Sequence, residues 1–250
     1  MKFPLSLLTI TFLIMTVQPL LGRDKEHYQE HILSAPVPDK EGRYDLYYIP
    51  VVKGTAESLQ GYGRIVEDKD SAIVDIVTWP ALGWRKVVPG TGNEAGTSKG
   101  LFEMHWEGDY CYATNHAIKA KYLTAWSCYP TEAKHDSTAP RRLIITHEAN
   151  YHPDGGQFVY PLNKKPFILI LALPGDDISP KDFVAFYFDG TAGFHINPGV
   201  WHQPAFPLEE SLELYNEQGA VHACIDSHFA VEFDCLLAID LDSLSELKKK

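Results

Sequence analysis

The chain is short of positive charge. It has 22 Lys and Arg against 33 Asp and Glu, which gives a formal net charge of −11 at pH 7 over 250 residues. Binding to nucleic acid or to an anionic membrane surface relies on clusters of Lys and Arg. The composition therefore argues against both of these partners. The sequence also has no Asn-x-Ser/Thr site, so N-glycosylation is not expected.

The sequence lacks an apolar run of the roughly 20 residues that a membrane-spanning helix needs. Its most apolar stretch, residues 5–17, follows Lys2 and ends at a Gln-Pro pair. This arrangement is typical of a secretory signal peptide, which we place at residues 1–22. We therefore expect a secreted protein, no membrane association, and an exposed lead-in over residues 23–42.

Cysteine is scarce, and its spacing gives no Cys-x-x-Cys motif, so a zinc or redox role has little support. The four cysteines are even in number, which in an oxidising compartment favours two disulfides. Three pairings are open. Cys111 and Cys128 flank one predicted hairpin, and Cys224 and Cys235 flank another short reversal. We favour the pairing 111–128 with 224–235.

Helical periodicity is nearly absent from the sequence. Short runs rich in aromatic and β-branched residues, such as residues 72–79, 101–106 and 166–173, alternate with turns rich in Gly and Pro. Many short strands separated by such turns predict an all-β sandwich or barrel. The length allows a single domain over residues 43–250.

Two histidine-bearing segments, residues 150–162 and 193–204, each place a histidine beside a Pro/Gly turn and then continue into an apolar stretch. Side chains two residues apart on a strand point the same way, and a turn returns the chain toward that face. Imidazole suits both proton transfer and metal binding. Five polar side chains are expected to converge, with Trp201 as an apolar wall: His152, Gln157, His195, Asn197 and His202.

The two segments resemble those of the ureidoglycolate lyase family, a branch of the cupin superfamily. The family motif His-Pro-x-Gly-x-Gln-x-x-x-Pro-Leu matches residues 152–162, and the motif Gly-x-x-x-x-x-Gly-x-Trp-His-His-Pro matches residues 193–204 apart from one histidine. The resemblance covers about residues 55–69 and 141–208. Residues 70–140 are then an insertion or an extra sheet.

The resemblance implies a cupin-type β-barrel or jelly roll whose core, residues 141–240, carries both motifs. It implies a small carboxylated substrate, ureidoglycolate, from which urea is eliminated to give glyoxylate. The implied acid/base groups are His152, His202 and His195, and the implied substrate contacts are Gln157, Asn197, Trp201 and Gln203. In the wider superfamily such positions bind a divalent metal, so the resemblance also implies a ligand set of His152, Gln157 and His202. Cupins often form dimers, which makes a homodimer the expected assembly by analogy.

This chain departs from the family motifs at several positions. His195-Ile-Asn197 stands where the family often has Asn-Tyr-His, and Gln203 replaces the second histidine of Trp-His-His. Asn150 stands where the family has Glu, and Glu148 is the nearest carboxylate. Two other functions stay open. One is a catalytically silent secreted cupin that serves as a binding or extracellular-matrix protein, and the other is a metal-dependent cupin oxygenase or isomerase.

Overall fold

The computed structural model describes residues 43–77, 83–89, 91–92, 97–117, 120–219 and 223–247. The predicted signal peptide, residues 1–22, and the lead-in, residues 23–42, lie outside this part of the chain, so both stay predictions. No helix among the described residues has the length and apolar character needed to cross a membrane.

Strands make up most of the regular structure. In chain order they are β1 (Asp45–Tyr48), β2 (Val51–Lys53), β3 (Gly63–Val66), β4 (Thr97–Glu107), β5 (Tyr110–Asn115), β6 (Ala120–Trp126), β7 (Leu143–Thr146), β8 (Glu148–Tyr151), β9 (Gln157–Pro161), β10 (Phe167–Ala172), β11 (Val184–Phe188), β12 (Gly193–Ile196), β13 (Trp201–His202), β14 (Phe206–Pro207), β15 (Ser211–Gly219), β16 (Ile225–His228) and β17 (Cys235–Asp240). Two single-turn helices, α1 (Phe229–Glu232) and α2 (Leu244–Leu247), lie near the end of the described chain.

The strands form two sheets. One has ten strands in the order β1-β17-β7-β6-β5-β4-β15-β9-β12-β3. The other has seven, in the order β16-β8-β13-β10-β11-β2 with β14 paired to β10. The pairing is antiparallel except between β1 and β17 and between β2 and β11. This architecture confirms the predicted all-β, cupin-type fold class.

Side-chain alternation decides which face of each strand enters the core. Along β5 every second residue is buried, which is the pattern of a strand with one solvated face. By contrast, all six residues of β10, Phe-Ile-Leu-Ile-Leu-Ala, are buried, so this strand is covered on both faces. The sequence therefore places β10 at the centre of the smaller sheet, where it pairs with β11, β13 and β14.

Aromatic side chains from both sheets fill the space between them. The rings of Phe188 on β11 and Phe194 on β12 lie 5.5 Å apart, centre to centre, and Phe188 also stacks on Phe167 at 4.9 Å. Full burial of one such side chain contributes about 1.5–3 kcal/mol. The two sheets are therefore held face to face by a continuous apolar layer, which fixes the separation of the polar side chains at its end.

The segment 70–140 contributes β4, β5 and β6, which lie side by side in the larger sheet between β15 and β7. The strand predicted at residues 72–79 is largely wrong, because residues 72–77 form only one isolated bridge, from Ile76 to Gly155. Residues 78 and 79 lie outside the described residues. The apolar pattern misleads because most of its large side chains are not in the core: Ile73, Ile76 and Val77 are exposed, and of the described residues in this run only Val74 is buried.

The predicted disulfides are wrong: none of the four cysteines, all of which are described, is in a disulfide. The hairpin of β5 and β6 is present, but Cys111 pairs with Ala125, which leaves Cys128 beyond the end of β6. Cys224 precedes β16 of the smaller sheet, whereas Cys235 begins β17 of the larger one. Burial raises the pKa of the Cys111 thiol to about 12 and that of Cys128 to about 11. Since the thiolate is the reactive form, burial also disfavours oxidation.

We expect all four cysteines to react as thiols in protein that has never been reduced. Denaturation in iodoacetamide without reductant should add four carbamidomethyl groups, because no pair is bonded. Intact-mass spectrometry counts the additions. Two fewer additions than in a reduced control would reveal a disulfide and contradict the structure.

Candidate active site

A cavity of about 580 Å³ lies between the two sheets. That volume is within the usual range for a small-molecule site. The larger sheet lines it with Phe102, Asn115, Tyr122, Gln157 and Gln218, and the smaller sheet lines it with Glu148, Asn150, His202, Asp226 and His228. Residues between strands complete the wall, including His152, Gln203 and Cys224.

The register of the strands determines which side chains of the smaller sheet are neighbours on the cavity wall. Asn150 on β8 is directly opposite His202 on β13 and, on its other side, opposite Asp226 on β16. Glu148 lies two residues before Asn150, so both side chains point to the same face, and Glu148 pairs with His228. The side chains of His202, Asn150 and Asp226 therefore form a row across this wall. Glu148 lies beside that row, two residues from Asn150 along β8.

His202 presents an unbonded ring nitrogen to the cavity. Its Nδ1 donates a hydrogen bond to the carbonyl oxygen of Val200 at 2.8 Å, and a carbonyl can only accept. In the neutral ring Nε2 then carries the lone pair, and this buried atom has no hydrogen-bond partner among the described residues. Burial, and next the charge of His152, lower the pKa of His202 to about 3. His202 is therefore a neutral imidazole at physiological pH.

His152 lies beside His202, with ring centres 5.1 Å apart. Its Nδ1 donates to the carbonyl oxygen of Ala223 at 2.9 Å, and its Nε2 is 3.2 Å from the side-chain oxygen of Gln157. Burial is the main influence that lowers the pKa of His152. Cys224 Sγ lies 3.7 Å from the same Nδ1. Both ring nitrogens of His152 thus contact protein groups, whereas in His202 only Nδ1 does so among the described residues.

Glu148 is a carboxyl group held in its protonated form. Burial first, and then the charge of Asp226, raise its pKa to about 8. One of its oxygens is 3.3 Å from Nδ1 of His228. A neutral carboxyl group that lines a cavity at pH 7 can donate a proton, so the cavity contains an acid as well as a base.

Three further polar atoms in the cavity wall have no hydrogen-bond partner among the described residues: Asn150 Oδ1, Gln203 Nε2 and Gln218 Nε2. A buried polar group without a partner costs about 1–3 kcal/mol. Because such groups are rare in folded proteins, the three around this cavity are available to hydrogen bond a ligand or water.

A strap formed by residues 83–89 covers one side of the cavity, and its Lys86 brings a cationic side chain to the lining. The nitrogen of Val88 donates to the carbonyl oxygen of Cys224 at 2.8 Å. Arg85 fixes the strap on the other side of Lys86. Its guanidinium donates to Glu232 at 3.0 Å and to the carbonyl oxygen of Asp176 at 2.8 Å. The strap is therefore bonded on both sides of Lys86 to segments that adjoin the strands of the smaller sheet.

Of the residues predicted from sequence, the structure brings His152, Gln157, His202 and Gln203 together at the cavity. It places His195, Asn197 and Trp201 elsewhere. His195 Nε2 accepts from the backbone nitrogen of Asp75 at 3.3 Å, and burial lowers its pKa to about 4. Asn197 donates to the carbonyl oxygen of Gly61, and the Trp201 indole donates to that of Gly175.

Sequence reasoning missed several cavity residues. Alternation along β8 could have identified Asn150 and Glu148, since they share a face and precede His152 at a spacing of two. Gln218 and Asp226 lie on β15 and β16, outside both motifs, and Lys86 lies on the strap. No local pattern marks these three residues, because only the fold brings them to the cavity.

The implied divalent-metal set does not fit this cavity. A catalytic metal is usually held by three protein ligands. Within the part of the chain that the structure describes, no three His, Cys, Asp or Glu side chains are grouped to hold one ion. The third implied ligand, Gln157, instead uses its amide to bond Asn216 at 2.7 Å and to contact His152. Two imidazoles and a neutral amide also supply no negative charge to balance a dication.

Two facing sheets with a polar cavity between them, lined by paired imidazoles, define a cupin-type protein with a cavity of small-molecule size. The family model described as ureidoglycolate lyase matches residues 48–232, and the chain belongs to that family. This confirms the resemblance drawn from the two motifs.

Individual relatives match over a shorter stretch. The chain is 35% identical over 88 residues to the ureidoglycolate lyase of Azotobacter vinelandii, which covers 34% of this chain and 52% of that protein. For the ureidoglycolate lyase of Pseudomonas paraeruginosa the identity is 34% over 88 residues, covering 34% and 52%. That of Salmonella paratyphi B is 36% identical over 63 residues, covering 25% and 39%. The chain thus spans about half the length, or less, of these curated relatives.

Replacing Arg85 should loosen the strap. In Arg85→Met, Glu232 loses its cationic partner, and since the Arg85 side chain is only 7% exposed, we expect a loss of about 3 kcal/mol in the free energy of unfolding. Denaturant unfolding measures this, and hydrogen exchange at Val88 reports the strap. Arg142→Met is the matched control, because its pair with Asp242 is 74% and 64% exposed and is worth at most about 1 kcal/mol. Equal losses in the two variants would contradict the assigned role of Arg85.

Proposed function

We propose that this protein eliminates urea from ureidoglycolate to give glyoxylate, with His202 as the base and Glu148 as the acid. The observation that carries the proposal is the bare Nε2 of His202, which is buried, fixed in direction by the Val200 carbonyl, and on the wall of the cavity. Membership of the ureidoglycolate lyase family supports the choice of substrate.

The base and the acid are placed for one small substrate. His202 and Glu148 are diagonal neighbours on adjacent strands, because His202 is opposite Asn150 and Glu148 is two residues along. The backbone positions of such diagonal neighbours are about 7–8 Å apart, and both side chains line the cavity. The hydroxyl and the leaving nitrogen of ureidoglycolate are on one carbon, so one bound substrate can present them to the two side chains.

The reaction moves two protons and breaks one bond. His202 Nε2 takes the proton from the carbinol hydroxyl, and the oxygen forms a carbonyl with its carbon. The carbon–nitrogen bond breaks, its electron pair stays on the nitrogen, and Glu148 gives that nitrogen a proton as urea leaves. General acid–base catalysis of this kind contributes typically 10²–10⁴-fold in rate. Return of the proton from His202 to Glu148 by way of water restores both groups.

The remaining polar atoms orient the substrate. Lys86 on the strap provides the positive charge for the carboxylate. The unpartnered Nε2 of Gln203 donates to the ureido carbonyl, and the unpartnered Oδ1 of Asn150 accepts from a ureido N–H. Both residues replace titratable groups of the family motifs with neutral amides, which suits a neutral ureido group.

Secretion by way of residues 1–22 and a homodimer as the assembly are also part of the proposal, and both depend on the sequence alone. A second candidate function, binding without turnover, is favoured by one observation. Asn150 and Gln203 stand where the family motifs have Glu and His, and both line the cavity. The assays below separate turnover from binding.

His202→Asn should abolish turnover without disturbing the fold. The Asn side chain can still donate to Val200, as Nδ1 does, but it has no counterpart of Nε2, so we expect kcat to fall 10²–10⁴-fold. Urea and glyoxylate released from racemic ureidoglycolate are the readout. In the control His195→Gln, the new amide oxygen can still accept from Asp75 outside the cavity, and activity should be kept. Equal losses in both variants, or turnover by His202→Asn, would refute the role of His202; no turnover by the unaltered protein would favour binding alone.

The pH profile should follow the two shifted groups. Glu148 must be protonated to act, so activity is lost as the pH rises through about 8, and His202 must be neutral, so activity is lost as the pH falls through about 3. Glu148→Gln should lower kcat and remove the alkaline limb. Asp226→Asn should move that limb to lower pH, because Asp226 raises the pKa of Glu148. An alkaline limb unchanged in both variants would exclude Glu148 as the acid.

A further inference from the structure

Three buried amides form a chain that ends on His152. Gln157 Nε2 is 2.7 Å from Asn216 Oδ1, and Asn216 Nδ2 is 3.2 Å from Gln218 Oε1. The other end of the Gln157 amide is 3.2 Å from His152 Nε2. Strand pairing fixes the spacing, since Gln157 on β9 is directly opposite Gln218 on β15. Asn216 is fully buried, and Gln218 lines the cavity.

An amide chain of this kind can run in either of two senses, because the oxygen and nitrogen of each side-chain amide are nearly equal in size. In one sense Gln157 turns its oxygen to His152, and Gln218 presents its N–H group to the cavity. In the other sense all three amides are turned around, so that Gln157 turns its N–H to His152 and Gln218 presents its oxygen. The bonds between the amides are equivalent in both senses, and the state of His152 selects one of them.

The carbonyl group of Ala223 and the burial of the ring together make that selection. It accepts from His152 Nδ1, so Nδ1 always carries a hydrogen. A neutral His152 then has its lone pair on Nε2 and needs an N–H from Gln157, whereas a cationic His152 needs the oxygen. We propose that Gln157, Asn216 and Gln218 are positioning residues: their chain holds His152 as the neutral Nδ1–H tautomer and makes Gln218 an acceptor for an N–H group of the ligand.

The groups that face His152 act on this balance in opposite directions. His202, across from it on β13, disfavours a second positive charge, and burial is the largest influence against the cation. The Ala223 carbonyl favours the cation, as do Asp154 in the turn that follows β8 and Gln157 when its oxygen faces the ring. The Cys224 thiol approaches Nδ1 from the chain before β16. An N–H from Gln157 adds to the influences that keep the ring neutral.

The chain has a consequence for the proposed reaction, on which this part of the inference depends. The two rings are 5.1 Å apart, and a charge on His152 lowers the proton affinity of His202. By keeping His152 neutral, the amides leave His202 as the group of the pair that takes up the substrate proton. At the far end, the Gln218 oxygen accepts from a neutral N–H-bearing group such as a ureido or carboxamide nitrogen.

Nitrogen-15 NMR of the histidine rings in the full chain tests the proposal without any substrate. At pH 7 we expect His152 to be neutral, with hydrogen on Nδ1 and none on Nε2. A cationic His152, or hydrogen on Nε2 alone, would overturn the proposal. Since this measurement needs no turnover, the chain can stand or fail independently of ureidoglycolate cleavage.

Asn216→Asp tests the coupling along the chain. A carboxylate at this position accepts from both neighbours, so Gln157 must turn its oxygen toward His152. We expect the ratio of cationic to neutral His152 to rise at least about tenfold, one pKa unit, and kcat for ureidoglycolate to fall by a similar factor. Asn115→Asp is the matched control, because it places the same group on the cavity wall outside the chain, where Asn115 accepts from Ala117.

A His152 spectrum in Asn216→Asp that is the same as in the unaltered protein, or an equal change in Asn115→Asp, would overturn the coupling. If Asn216→Asp does not fold, Gln157→Met takes its place. This variant removes the N–H donor to Nε2, and we expect the nitrogen-15 shift of Nε2 to move toward that of a ring nitrogen without a hydrogen bond, while Nδ1 keeps its hydrogen. An unchanged Nε2 shift in Gln157→Met would show that the amides do not donate to His152.

Discussion

Two backbone carbonyl groups decide what the buried imidazoles of this protein can do. Val200 and Ala223 each accept from an Nδ1, so in both neutral rings the lone pair is on Nε2. The difference between the rings follows from what Nε2 meets. In His152 it meets Gln157, and in His202 it meets the cavity. The same type of bond thus leaves one histidine fully bonded within the protein and the other with a lone pair that faces the cavity, which is the basis of the role proposed for it.

The fold class could be predicted from sequence because it depends on local composition, whereas the cavity depends on pairings that no local pattern records. The sequence identifies His152 and His202 because each lies beside a Pro/Gly turn in a family motif. The period of two predicts one face for His195 and Asn197, but it could not say that their hydrogen-bond partners, Asp75 and Gly61, lie outside the cavity lining. The disulfides are predicted from the oxidising compartment, which carries no information on strand register. In the structure, register pairs Cys111 with Ala125 and not with Cys128. Asp226 and Gln218 reach the cavity only by long-range pairing.

Two of the residues that depart from the family motifs share one property in the structure: they are neutral amides that line the cavity. Asn150 and Gln203, which replace a Glu and a His, both line the cavity, where Gln157 and Gln218 add two more amides. Amides hydrogen bond without charge, so burying them costs less than burying carboxylates. The titratable groups in the cavity include Glu148, Asp226 and Lys86, and burial together with Asp226 raises the pKa of Glu148 to about 8. A cavity of this composition selects by hydrogen-bond pattern more than by net charge.

The parallel pairing of β1 with β17 affects how the chain is made as well as how it is built. Asp45 is opposite Cys235, so the first strand of the larger sheet has no partner until residues 235–238 have been synthesised. During synthesis from the N-terminus, β1 leaves the ribosome with its backbone groups unpaired and with Tyr47 and Tyr48 exposed, as they also are in the finished fold. Folds dominated by such distant contacts form slowly, and an unpaired strand edge is open to association with other chains. The backbone groups on one side of β1 are therefore satisfied only once β17, the last strand, has formed.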